Sequence, residues 1–295
     1  MPHKNTQTTA FILAFIGVLT FSFTLPFTKY AITHGLSAPF VSFGRTVLAG
    51  LVAAIYLYIK REKFPPRDAW RDIIISSLGV VIGFPLFSSL ALQTVPSSHA
   101  IVFNGLLPLV TAVIASFVFH NKQPRVFWLL AILGALVIVL YNMHHVGFDA
   151  SQLEWGDAWM LLAVLICGMG YTYGAKVSVR MSGVLSICWA LVFALPLTTV
   201  VTGVIAVQQT SWPHAAMTWG AFVYLALMSQ FIGMFFWYAG LAMGGTAKVS
   251  QVQLAQTLLS LIWATLIFNE PSTWAMWLTV GITIVLIALS KRVGK

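Results

Sequence analysis

A chain of 295 residues with 59% hydrophobic and only 8% charged side chains, at a mean hydropathy of +0.90, cannot hide its apolar surface from water as a soluble domain does, since soluble chains carry about 25% charged residues. Its net charge of +9 comes from Lys and Arg in short segments between apolar runs, a pattern that orients a membrane protein and excludes a basic nucleic-acid-binding face. The predicted fold class is an all-α integral membrane protein whose main partner is the lipid bilayer.

In chain order, Lys4 precedes a stretch free of Asp, Glu, Lys and Arg from Asn5 to Thr28. That stretch is longer than a secretory-signal core, lacks a small-residue cleavage site and is followed by many more apolar runs, so it reads as a retained first helix near residues 9–30. Further helices are predicted near 38–59, 73–93, 97–119, 125–143, 155–175, 183–206, 219–243, 247–268 and 272–290, each near the roughly 20 residues a bilayer core requires. The polar, turn-rich segments Thr94-Val95-Pro96-Ser97-Ser98 and Gln208-Gln209-Thr210-Ser211-Trp212-Pro213-His214 divide the two longest apolar runs. With ten spans and the N-terminus inside, every Lys and Arg except Lys29 and Arg45 falls on the cytoplasmic side, as the positive-inside rule requires. The expected product is a multi-pass protein of the cell inner (plasma) membrane with both termini cytoplasmic.

The halves correspond. Lys29 and Lys176, 147 positions apart, each end a span, Leu90-Ala91 matches Leu241-Ala242, and Phe119-His120-Asn121 matches Phe268-Asn269-Glu270. These near-constant offsets predict two five-helix repeats, residues 1–145 and 146–295. Five is odd, so the copies are inverted, an arrangement that places a substrate site between the halves near the bilayer midplane.

Lys29 closing span 1, Arg45 in span 2 after Pro39, Leu90-Ala91-Leu92 before the turn into the span that holds Pro108, and Phe268-Asn269-Glu270 closing span 9 together resemble the EamA family of the drug/metabolite transporter superfamily, over essentially the whole chain. His120-Asn121-Lys122 stands where that family usually has Glu, and Gln256-Thr257 where proline is common. The resemblance implies a carrier of small metabolites that exports amino acids, aromatic ones among them, by alternating access. Another cargo (a nucleotide precursor, a sugar derivative, a drug) and a non-transporting membrane sensor stay open.

Polar side chains at lipid depth are site candidates unless they join helices to each other. Gln253, Gln256, Thr257 and Ser260 share one helical face, and Asn104, Pro108 and Thr111 form a comparable face 149 positions earlier, pairing Asn104 with Gln253. Phe84, Tyr171 and Trp237 are the aromatic candidates for a cavity lining. Arg45 is either a structural anchor or a contact for an anionic cargo group, Lys29 an interfacial anchor or gate, and His99 a solvated histidine or a pH-responsive gate. Pro26, Pro85, Pro108 and Pro196 should kink their helices.

All seven acidic residues lie in loops or at span ends, so the buried carboxylate relay of proton-coupled pumps is missing and uniport or weakly coupled exchange is expected, with proton coupling through His99 or Glu270 as the open alternative. His144 and His145 near Asp149 lack a spaced ligand set, Cys167 and Cys188 read as small apolar helix residues, and neither a metal nor a cofactor is expected. With no His-Glu-x-x-His or Gly-x-Ser-x-Gly motif, an integral membrane enzyme is not expected either.

Overall fold

The structure, a computed structural model, describes residues 4–95, 97–120, 122–146 and 155–268, with scattered residues between 274 and 289. Every regular element among the described residues is helical. Among the described residues, six helical runs are long and apolar enough to cross a bilayer: Thr6–Thr33, Ala38–Lys60, Arg67–Thr94, Trp155–Met181, Gly183–Gln208 and Ala216–Gly244. The expected run at 272–290 lies mostly outside the described residues.

The first run is broken, unlike the single helix expected there. Helix α1 (Lys4–Phe21) and helix α2 (Thr24–Thr33) meet at Ser22-Phe23. Pro26 has no N–H to give the carbonyl of Ser22, four residues earlier. The carbonyls at the break take side-chain donors from helix α14 (Leu254–Phe268) instead: Gln256 Nε2 donates to Phe21 O at 3.3 Å and Ser260 Oγ to Ser22 O at 2.7 Å. Trp263 Nε1 donates to Ser22 Oγ at 2.8 Å, completing the clasp. Removing the Ser260 hydroxyl should therefore cost about 1 kcal/mol. In a Pro26→Ala background the loss should shrink, because residue 26 regains an N–H that can fill the Ser22 carbonyl; additive losses in a thermal-unfolding double-mutant cycle would refute the coupling.

Helix α3 (Ala38–Lys60) opens with Pro39 in its first turn, where a missing N–H costs nothing, and closes on Arg61 in the left-handed conformation. The third run comprises α4 (Arg67–Ser76), a π-helical segment Ser77–Gly83 and α5 (Phe84–Thr94). Pro85 withholds the donor that Val81 O would otherwise accept. That carbonyl receives Thr46 Oγ1 at 2.9 Å and Gln230 Nε2 at 3.0 Å, while Ser42 Oγ donates to Pro85 O at 2.9 Å. One face of α3 thus serves the kink.

The next run is broken as well, into α6 (Ser97–Asn104) and α7 (Leu107–Val118), with Pro108 just past the break. Helices α8 (Arg125–Val146), α9 (Trp155–Met181) and α10 (Gly183–Gln208) follow. The eighth run repeats the design of the third: α11 (Ala216–Tyr224), a π-helical segment Leu225–Ile232, and α12 (Gly233–Gly244). The two π segments begin at Ser77 and Leu225, 148 positions apart. Before α14 come the short α13 (Thr246–Val249) and a 3₁₀ turn, Ser250–Gln253.

Small residues let the backbones approach, as expected where lipid supplies no hydrophobic drive between helices. A Cβ on Gly79 would lie 2.6 Å from Gly170 Cα, and one on Gly17 2.9 Å from Gly233 O, so α9 and α12 each press directly on a neighbour's backbone. On the side carrying the basic residues, Lys176 Nζ pairs with Asp72 and Arg180 with Asp68, both at 3.0 Å, tying α9 to α4. The first half of helix α14 is buried on both faces: Leu254, Leu258 and Leu261 are buried, as are Gln256 and Ser260 and, in the turn before it, Gln253, while Leu266 near its end is exposed. Ile12, Leu51, Ile55, Val200 and Val204 are exposed, which suits contact with lipid tails.

Candidate functional site

The backbone irregularities meet around one cavity. Phe21 and Thr24 flank the α1/α2 break, Val80 lies in the first π segment, Leu107 follows the α6/α7 break, Ser229 and Gln230 lie in the second π segment, and Gln253 ends the 3₁₀ turn; all line the cavity. Irregular backbone at membrane depth is tolerated where it is buried in protein or borders a polar space. Arg45, Phe84, Cys167, Tyr171, Met234 and Gln256 complete the lining of about 390 Å³ of empty space, counting the part open to the outside.

Two backbone carbonyls fix the orientation of the amides. A carbonyl only accepts, so Gln230 must turn its NH₂ toward Val81 O, 3.0 Å away, with Thr46 Oγ1 at 2.8 Å. Gln256 must likewise turn its NH₂ toward Phe21 O. Its oxygen is then left to accept from Gln253 Nε2 at 3.2 Å, and the same Gln253 nitrogen reaches Tyr171 Oη at 3.4 Å. The remaining amide oxygens, Oε1 of Gln230 and of Gln253, are buried without a hydrogen-bond partner among the described residues. Thr24 Oγ1 and Ser229 Oγ satisfy each other at 2.7 Å.

Arg45 supplies the opposite polarity. It is 2% exposed, and its Nε and Nη1 have no partner among the described residues. Isolating a guanidinium from water costs several kcal/mol, and no acidic side chain stands among the cavity-lining residues. The residues that line the cavity therefore carry unfilled cationic donors and unfilled neutral acceptors together.

The other expected residues are placed differently. Trp237 is fully buried behind the lining, its ring edge-on to Phe21 at 6.1 Å and to Tyr171 at 5.2 Å. Asn104, expected beside Gln253, is 2% exposed but does not line the cavity; α6 ends on it, and the break beyond brings Leu107 to the cavity. Lys29 donates to Leu92 O at 2.7 Å and Val95 O at 3.1 Å, bonding α2 to the end of α5. A cation on carbonyls at a helix C-terminus is favourably placed. Of His99 only the backbone, within α6, is described. The described residues include no cluster of His, Cys, Asp or Glu fit to hold a metal, and the side chains of His144, His145 and Asp149 lie outside them. Gln230 and Ser229 were missed from sequence; the signal was a lone amide inside an otherwise apolar run.

A helical bundle with lipid-suited flanks and a polar cavity framed by broken helices has the form of a membrane transporter. The chain matches the EamA-like transporter family over residues 8–143 and 154–291 and belongs to it: a transporter, not an enzyme. It is 38% identical over 300 aligned residues to the uncharacterized transporter YdeK of Bacillus subtilis, covering 99% of this chain and 100% of that one. It is 33% identical over 171 residues to an S-adenosylmethionine/S-adenosylhomocysteine transporter of Chlamydia muridarum, a match covering 55% of this chain and 52% of that protein. A WAT1-related chloroplastic protein of Arabidopsis thaliana is 25% identical over 272 residues, or 85% of this chain and 61% of that one. A solved crystal structure shares the fold with a TM-score of 0.73 at 17% identity, over 95% of this chain and 97% of that one.

Proposed function

We propose that the protein exports small neutral amino acids, aromatic ones included, by alternating access between two inverted five-helix halves. The observation that carries this reading is the polarity of the unfilled atoms: Arg45 Nε and Nη1 suit a carboxylate, and Oε1 of Gln230 and Gln253 suit an ammonium. Tyr171, Phe84 and Phe21 supply aromatic surface for the side chain. The two matched family segments and the corresponding π segments support the inverted halves. The distribution of Lys and Arg supports cytoplasmic termini, and an export-dependent reporter fused after Lys295 should stay silent.

With no Asp or Glu inside residues 73–148 or 158–269, the chain has no carboxylate to relay protons at membrane depth, which favours flux down the cargo's own gradient. A second cargo, an amino acid bearing a nucleoside, is favoured by the similarity to the Chlamydia muridarum transporter and would use the same anchors.

The test is flux of neutral amino acids into vesicles reconstituted with the protein, without an imposed proton gradient. Gln253→Leu should fold, because an apolar residue is tolerated at lipid depth, while flux falls at least several-fold, in line with one or two lost hydrogen bonds of about 1 kcal/mol each. Flux equal to that of empty vesicles would remove the cargo assignment, and normal flux through Gln253→Leu would remove that residue from the site.

A further inference from the structure

We infer that the cavity takes 2-hydroxy acids, the hydroxyl analogues of amino acids, as a second substrate class. The inference rests on the proposed carboxylate contact at Arg45 and follows from balancing charge within the cavity. A guanidinium stays protonated at any physiological pH, so Arg45 is a permanent cation. It is almost wholly buried, two of its nitrogens are unpartnered among the described residues, and no lining residue is acidic. The acidic residues of the runs that supply the lining, Asp68, Asp72 and Asp157, do not themselves line the cavity, so the counter-charge has to arrive with the cargo.

A zwitterion answers this need only in part. Its carboxylate meets Arg45, but its ammonium adds a second cation, and the filled cavity keeps the net positive charge of the empty one. A 2-hydroxy carboxylate carries one negative charge and leaves the filled cavity neutral, the better state in a low-dielectric space. Its hydroxyl also matches what remains. Gln230 and Gln253 have their NH₂ groups engaged by Val81 O and Thr46 Oγ1, and by Gln256 Oε1 and Tyr171 Oη. Each can therefore offer an incoming group only an acceptor oxygen, and a hydroxyl is a donor of one proton. A 2-oxo acid has the right charge but no donor, and would leave those oxygens buried and unfilled. An amine lacking a carboxylate brings a cation to a cation.

Four probes with one side chain separate these chemistries in vesicles containing the full chain at pH 7.5: phenylalanine, phenyllactate, phenylpyruvate and phenethylamine, each corrected for leak through empty vesicles. Phenyllactate should cross and raise the thermal unfolding temperature at least as well as phenylalanine. Phenylpyruvate should be about tenfold weaker for want of one hydrogen bond, and phenethylamine inert. Arg45→Leu should lose phenyllactate and phenylalanine together, with its own unfolding temperature in the absence of cargo reporting that it is folded. Phenyllactate inert while phenylalanine crosses overturns the inference and leaves the amino-acid reading standing. Phenyllactate active while phenylalanine is inert supports the inference and overturns that reading, and inertness of both removes the two together.

Discussion

Arg45→Leu should abolish amino-acid flux, by about a hundredfold or more, without unfolding the protein. The size follows from two charge-assisted hydrogen bonds to a carboxylate at about 1.5–3 kcal/mol each, where 1.4 kcal/mol is tenfold in affinity. The tolerance follows from the unpartnered state of the guanidinium: Nε and Nη1 bond nothing among the described residues, so truncation strands no buried partner. Replacing a buried charge with an apolar side chain of similar size is commonly neutral or stabilising. Arg45→Lys should recover only part of the flux, since an ammonium keeps the charge but loses the fixed donor geometry of the guanidinium. Flux measured beside thermal unfolding decides the matter: a variant that transports normally, or one that loses flux only because it melts, would show that Arg45 is an anchor and not a contact for cargo.

Gly170→Leu should give the largest loss of stability, about 3 kcal/mol. A Cβ at that position would already lie 2.7 Å from Val80 Cγ2, 2.8 Å from Val80 N and 2.9 Å from Gly79 Cα, so a whole side chain must force α9 away from the first π segment. That crossing also sets Val80 and Tyr171 against the cavity, and flux should fall with stability. Gly203→Leu is the control, because a Cβ at Gly203 meets nothing within 4 Å and a side chain there points into space suited to lipid. Equal unfolding temperatures for the two variants in the same detergent would contradict the packing described here.

The helical membrane fold was legible because apolar runs of bilayer length, punctuated by charged turns, leave little alternative. The amides that end the 3₁₀ turn and open α14 stand out in the sequence for a related reason: Gln253 and Gln256 recur at helical spacing in a run that is otherwise apolar. The breaks were not. Pro26 announces a lost hydrogen bond, but whether the helix bends or parts depends on donors arriving from far along the chain, Gln256 and Ser260 here. The π segments are equally tertiary in character, since Val81 O draws its donors from Thr46 and Gln230. Gln230 went unnoticed for want of a polar neighbour at helical spacing on its own run, and Asn104 was placed at the cavity by assuming that corresponding positions have corresponding surroundings. The break after Asn104 and the 3₁₀ turn before Leu254 occupy different registers, and the two side chains end in different environments.

The most direct measurement is the thermal unfolding temperature of the purified protein with saturating phenylalanine and with phenethylamine, repeated for Arg45→Leu. A ligand that binds only the folded state stabilises it by about 2.7 kcal/mol at a hundred times its dissociation constant. Phenylalanine should raise the unfolding temperature of the natural protein, while phenethylamine, which keeps the ring and the amine and lacks the carboxylate, should leave it unchanged; neither should act on Arg45→Leu. An equal rise with both compounds, or a rise with phenylalanine that survives the loss of Arg45, would contradict a cavity that holds its cargo by the carboxylate.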